Sequence, residues 1–338
     1  MSQDKERILR YMLELIDRDE SDYAKKTVET FSVSSSSVYN YVNLLLKESK
    51  LIKDDGKKTK LSLPSKKYSF NYSNDGKLFE DRIYRRDVAP ILTDLPANVK
   101  DIWYYSFTEM MNNAIEHSSA KNISCEVDVN ALYTRITIVD DGIGIFRNIQ
   151  KYLLEKTEED VPENECVSYL FAGRFTTAEK LHSGEGIFFT SHMLDLFAIL
   201  SSGVVFTRND FSDLQFKSEL DHGQGTTVVM RLSNNSPKLS EDVFRRFSDA
   251  ENGFNKTEIP MGHLFPNGYP VSRSEARRLA GMVKAFETVT LDFKGIEKIG
   301  QAFVHEFFIV LKNDAQTVVL SNVSEAVNQT IMRVKNTK

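Results

Sequence analysis

Apolar residues between Lys5 and Ile16 fall at Ile8, Met12, Leu15 and Ile16, the spacing that lines one face of a helix. A shorter helix is expected over Asp22 to Phe31. A third begins after the hydroxyl-rich Ser34 to Ser37, which suits an N-cap, and gathers Val38, Tyr41, Val42, Leu45 and Leu46 into one stripe. Tyr39, Asn40, Asn43 and Lys47 are left facing outward. Two short runs, Leu51-Ile52-Lys53 and Lys58 to Leu63, then flank Asp54-Asp55-Gly56-Lys57, where Asp55-Gly56 predicts a tight hairpin. Polar residues from Pro64 to Asp75 read as a linker, and a helix is expected from near Phe79 to Pro90.

Further along, Trp103 to His117 reads as a helix and Arg135 to Asp140 as a buried strand. An apolar helix starts at Ile187 and leads into a strand, and another strand opens at Gly223-Gln224-Gly225-Thr226. After a looser region, Ser236 to Tyr269, a helix at Ser272 to Val283 precedes a strand at Thr288 to Phe293, a helix at Ala302 to Leu311, a strand at Thr317 to Leu320 and a helix at Val323 to Val334. Such alternation indicates a small α/β layer fold at the C-terminal end. The expected architecture is α+β and multidomain. Its parts are an N-terminal module over 1–66, a linker over 67–80, a central domain over 81–235, a connector over 236–267 and a last domain over 268–338.

A chain of 338 residues accommodates about two to three domains. Its 41% apolar and 27% charged content excludes global disorder and collagen-like repetition. The net charge of -5 hides a basic patch, since residues 31–70 hold eight lysines against Glu48, Asp54 and Asp55. Cys125 and Cys166 lie far apart and outside any C-x-x-C, which disfavours a disulfide framework or structural zinc. The start Met-Ser-Gln-Asp-Lys-Glu-Arg lacks a secretory apolar stretch, so a cytoplasmic location is expected. The most membrane-like run, Gly186 to Phe206, carries His192 and Asp195 and reads as buried rather than spanning, so no membrane partner is expected.

The chemistry concentrates in the central domain. Glu109 and Asn113 stand four apart, which places a carboxylate and an amide oxygen on one helical face. Such a pair can orient a water and hold hydrated Mg2+, a cation that prefers oxygen ligands. The buried strand ends in Asp140-Asp141-Gly142-Ile143-Gly144. Glycines there permit close backbone approach, and a fixed aspartate can accept a hydrogen bond from an exocyclic amine such as adenine's. Ser183-Gly184-Glu185-Gly186 then opens a helix whose backbone amides suit phosphate, and the hydroxyl of Thr226 can complete a nucleotide pocket. Each box alone is only a turn or a helix cap; the order of the four carries the signal.

Over roughly Asp81 to Ser233 this order resembles the GHKL superfamily, the ATP-binding domain shared by gyrase, the heat-shock chaperone, histidine kinases and mismatch-repair ATPases. The resemblance implies an α/β sandwich with a Bergerat-type site for ATP and Mg2+. Asn113 resembles the metal-binding asparagine, Asp140 the adenine aspartate, Gly142 and Gly144 the first glycine box, Gly184 and Gly186 the second, and Thr226 the threonine near adenine. Glu109 resembles the general base of members that hydrolyse ATP or phosphorylate protein serines. Residues 146–183 resemble the lid that closes over ATP, within which Arg174 and Lys180 are either γ-phosphate contacts or surface residues. The second box departs from the family pattern, reading Gly186-Ile187-Phe188-Phe189 without a Leu-Gly continuation.

Residues 5–64 resemble a winged helix-turn-helix, with Ser-x-x-Ser-Val-Tyr-x-Tyr marking the recognition helix. The resemblance implies DNA contact through Ser35, Ser36, Tyr39, Asn40 and Asn43, and through the wing lysines Lys57, Lys58 and Lys60. Winged helices also serve as protein-docking modules, and lysine runs also occur as plain solvated surface. Leu-Asp-Phe-Lys-Gly-Ile-Glu-Lys-Ile-Gly-Gln-Ala-Phe resembles a STAS-like domain over about Gly268 to Asn336. Its turn reads Ile299-Gly300-Gln301-Ala302, without the acceptor hydroxyl of anti-sigma-factor antagonists. Two functions follow as expectations. One is a DNA-binding regulator switched by Mg-ATP binding or slow hydrolysis; the other is a serine/threonine protein kinase or ATPase of anti-sigma-factor type acting on a protein partner. Homodimerisation through the N-terminal or ATPase module is a further expectation. Two-component histidine kinase activity is disfavoured, because the first module stands where a phosphoacceptor hairpin would be.

Overall fold

The computed structural model describes residues 3–54, 60–158, 160–174, 184–208, 224–265 and 268–336. Helices α1 (Gln3–Asp17), α2 (Tyr23–Phe31) and α3 (Ser35–Lys47) precede an antiparallel pair, β1 (Ile52–Asp54) and β2 (Lys60–Ser62). Ser34 caps α3, its hydroxyl accepting from the Ser37 amide at 3.1 Å. Met12, Val38 and Leu45 are fully buried between the three helices. The expected turn at Asp55-Gly56, with Lys57 and Lys58, lies outside the described residues.

The central sheet has six strands in the order β3-β4-β5-β8-β6-β7, every described neighbour antiparallel. They are β3 (Lys66–Ser73), β4 (Asn122–Val129), β5 (Tyr133–Asp140), β6 (Leu196–Ser201), β7 (Val204–Thr207) and β8 (Thr226–Ser233). Between β3 and β4 run α4 (Glu80–Ile83), continued by a π-helical turn, and α5 (Ala97–Asn112), which ends in a second π-helical turn, Asn113–His117. After β5 come α6 (Ile145–Thr157), α7 (Glu163–Ala172) and α8 (Gly186–Met193). Trp103 and Phe107 on α5 are fully buried beneath the sheet, each contributing roughly 2–3 kcal/mol of apolar burial.

The chain continues through α9 (Ser240–Phe247), a hairpin of β9 (Ser248–Asp249) and β10 (Gly253–Phe254), β11 (Lys256–Pro260) and α10 (Met261–Leu264). It closes with α11 (Arg273–Val283), β12 (Thr288–Asp292), α12 (Gln301–His305) with its π-helical extension, β13 (Thr317–Ser321) and α13 (Glu325–Asn336). Strands β11, β12 and β13 form a parallel sheet in that order, so helices serve as the crossovers. One continuous apolar cluster runs from Tyr72 in the central sheet to Ile331 in α13, whereas the N-terminal module has its own two smaller clusters.

Two expected boundaries change. The first half of the expected linker over 67–80 is β3: Tyr68, Phe70 and Tyr72 alternate with polar residues, but only Tyr72 is buried because β3 is an edge strand. The connector over 236–267 is structured and supplies β11, the first strand of the C-terminal sheet, so that sheet begins well before residue 268. The expected lid, 146–183, carries α6 and α7, and its residues 175–183 lie outside the described residues. Arg174 faces the C-terminal domain, donating to the Ala285 carbonyl at 3.1 Å and stacking on Phe254 and Phe286, not a phosphate site. Ser272 caps α11 in a reciprocal box with Glu275.

Candidate nucleotide-binding site

The end of α5, the end of β5, the starts of α6 and α8 and the start of β8 converge on a cavity of about 270 Å³. It lies near the lower bound of pockets that take small ligands, roughly 300 Å³ upward. Glu109, Asn113, Asp140, Gly144, Gly184, Gly186 and Thr226 all line it. Gly142 stands behind the wall, donating its amide to Asp140 Oδ1 at 2.9 Å.

Asp140 is 4% exposed and lies opposite Thr226 in the β5–β8 ladder. Burial pushes its carboxyl up to about 6, against the opposing pull of hydrogen bonds from Gly142 and from the Thr226 backbone and hydroxyl. The carboxylate is thus held in place by neutral donors, ready to accept a ligand N–H. Thr226 also accepts from the Ile145 amide at 3.1 Å, which joins the start of α6 to the same corner. Ile138, Ile149, Ile199 and Val228 supply an apolar floor beside the carboxylate, the mixture a purine ring requires.

The glycines are required by space. A Cβ at Gly186 would lie 2.1 Å from Glu109 Oε2, so the first turn of α8 presses directly on that carboxylate. A Cβ at Gly225 would lie 1.9 Å from the Asp140 carbonyl, and its φ of +81° suits glycine alone. Asn113 opens the π-helical turn, a local widening that often accompanies functional positions. Glu109 and Asn113 sit one turn apart and line the cavity together with Gly184 and Gly186. The nearby Glu109 and Glu185 charges add to burial in holding the Tyr105 hydroxyl protonated, burial being the larger cause.

Sequence patterns do not mark Asn148 and Leu170, both of which line the cavity, or Ser201, whose hydroxyl stands beside Gly144. Asn148 donates to the His117 carbonyl at 3.3 Å, tying α6 to α5, from the position one helical turn after Gly144. Ser201 donates to the Gly225 carbonyl at 2.7 Å, a contact across 24 positions that no local pattern marks. Among the described residues no cluster of three or more His, Cys, Asp or Glu can hold a metal. Glu109 and Asn113 bring oxygen donors to the cavity, the ligand type that a hydrated Mg2+ takes.

At the other end of the chain, Ser35, Ser36, Tyr39, Asn40 and Asn43 are all exposed on α3. Lys60 is exposed but paired with Asp19 at 2.8 Å, which reduces its availability to a phosphate. No helix among the described residues is long and apolar enough to cross a membrane.

Residues 99–236 match the family described as histidine kinase-, DNA gyrase B- and HSP90-like ATPase. Residues 275–327 match a STAS-like domain of unknown function, DUF4325. No curated protein matches the chain. The chain thus joins a GHKL-type ATPase domain, which supports ATP binding and a regulatory ATPase- or kinase-like role, to a STAS-like domain.

Proposed function

We propose that the chain is an ATP-responsive regulator in which Mg-ATP in the GHKL cavity alters how the N-terminal module, a winged helix-turn-helix, engages DNA. The observation that carries this reading is the placement of that module. Strands β5 and β8 bear Asp140 and Thr226 at one end and pair Tyr133 with Ser233 at the other. At that far end Ala131 and Leu132 pack against the apolar cluster that joins Leu9, Leu13 and Ile16 of α1 with Leu45 and Leu51. Burial raises the Asp17 carboxyl there, while Arg231 of β8 draws it down. Two strands therefore connect the adenine corner with the base of the N-terminal module.

Asp140 would accept from the adenine amine, and the first turn of α8 would offer amides to phosphate. Mg2+, when bound beside Asn113, would neutralise phosphate charge. Glu109 would orient and deprotonate the attacking water or hydroxyl. A ligand shifts such a switch only through a difference in affinity between two states. The exposed α3 face would meet phosphates and base edges, with Lys60 contributing once it leaves Asp19. A homodimer would place two such faces on one duplex, and a monomeric mass with Mg-ATP present would remove that part.

The location of Glu109 favours a second reading, a serine/threonine protein kinase or ATPase acting on a protein partner. One experiment separates them: γ-phosphate release and transfer from radiolabelled Mg-ATP, beside DNA retention with and without ATP, for the chain and Glu109→Ala. DNA affinity that changes with ATP supports the switch. Phosphate transferred to another polypeptide and lost in Glu109→Ala supports the kinase. Absence of ATP binding overturns both.

A further inference from the structure

We propose a role for the STAS-like domain: it holds α7, the lid helix, in the position that retains nucleotide. The inference rests on the ATP-binding reading and adds to it the residues that govern ligand release. One face of α7 places Leu170 in the nucleotide cavity. Its C-terminal end is held from outside the ATPase sheet, because Thr257 of β11 donates to the Ala172 carbonyl at 2.8 Å in a buried setting. Nearer the start of the helix, Arg278 of α11 pairs with Glu165. Just past α7, Arg174 reaches the Ala285 carbonyl and lies over Phe286, 5.2 Å from the ring centroid.

A second connection runs through α8, the helix at the phosphate side. Phe188 and Phe189, which stand where the family pattern would continue differently, pack on Phe254 with centroids 4.8 and 4.9 Å away. Phe254 in turn meets Phe286 at 5.1 Å. Gly173, which ends α7 at φ +93°, fits against Phe188 so closely that a Cβ would lie 2.4 Å from the ring. Both walls of the phosphate end are thereby fastened to one foundation, and the apolar core is continuous across it.

The strengths of the contacts rank the tests. Arg278 and Glu165 keep 31% and 42% of their side-chain exposure, so solvent weakens their pair. Thr257 is 2% exposed, and replacing its hydroxyl with a methyl leaves the Ala172 carbonyl without that donor. Thr257→Val keeps the shape of the side chain and is the stronger variant.

The test is stopped-flow release of a fluorescent N-methylanthraniloyl ATP in Mg2+ from the full chain, with cavity affinity and thermal unfolding recorded in parallel. Thr257→Val should speed release about tenfold. Arg278→Glu should speed it about threefold, and the double exchange Arg278→Glu with Glu165→Arg should return the rate toward that of the parent chain. A merely structural role would lower the unfolding temperature and leave the release rate of the folded protein unchanged. Release rates unchanged or slowed in Thr257→Val, in a protein that still unfolds cooperatively, overturn the proposal. So does a double exchange no closer to the parent than Arg278→Glu. Failure of the parent chain to bind the analogue would instead count against the ATP-binding reading.

Discussion

Asp140 in the ATPase domain and Glu306 in the STAS-like domain are each 4% exposed, yet they meet the cost of burial in opposite ways. Glu306 is neutralised: Arg277 donates to it at 2.7 Å and Arg273 stands at 3.8 Å. Among the described residues Asp140 receives only backbone and hydroxyl donors, and burial dominates its titration. The pairing of Glu306 belongs to the packing of α11 against α12, whereas the charge on Asp140 is, in the function proposed above, left for a ligand to use. Depth alone does not identify a functional carboxylate; the nature of its partners does.

The comparison breaks most sharply at Asp140. Asp140→Asn should weaken ATP binding at least a hundredfold by titration calorimetry, since the amide presents an N–H where an acceptor is needed. The same change should stabilise the unliganded protein. A carboxyl raised from 3.8 to about 6 supports the fold fully below pH 3.8 and loses that support as pH climbs through about 6. At pH 7 the ionised group is therefore a burden, and its removal should raise thermal stability by about 1–3 kcal/mol. A variant that binds ATP normally would remove Asp140 from the site.

Next in size, Glu306→Ala should destabilise the fold by about 1–2 kcal/mol in urea unfolding, because its buried stem leaves the packing while the largely exposed Arg273 and Arg277 are rehydrated. Its ATP affinity below the unfolding transition should stay within about twofold of the parent. A smaller effect should appear with pH: ATP affinity should fall as pH drops below about 6, approaching about tenfold per unit as Asp140 takes up its proton. A flat profile between pH 7 and 5 would mean that Asp140 does not bind in its ionised form. Smallest is Ser272→Ala, which removes the α11 cap and should cost about 1 kcal/mol of unfolding free energy without changing binding.

What could be read in advance follows the range of the interactions. Asp140, Gly142 and Gly144 lie within five positions, and Glu109 and Asn113 within one turn, so their spacing in the chain reports their spacing in the site. The edge strand β3 escaped notice because Lys66, Lys67, Ser69 and Asn71 dilute its apolar alternation and only one face meets a core. Strand β11 escaped for a different reason. Its membership in the C-terminal sheet depends on pairing Lys256 with Thr288, and β12 in turn pairs Thr288 with Thr317. Arg174 is similar, since its partner Ala285 lies 111 positions away. Local rules see a surface arginine; only the folded topology shows a bracket.

Only Leu63, Pro64 and Ser65 separate the end of β2 from the start of β3. Three residues reach about 10 Å at full extension, and the proline stiffens even that span. The N-terminal module is consequently not a bead on a string that searches a large volume around the ATPase. It is a short-armed fitting whose direction is set by the sheet edge it grows from, and any second copy would repeat that geometry at a fixed pitch.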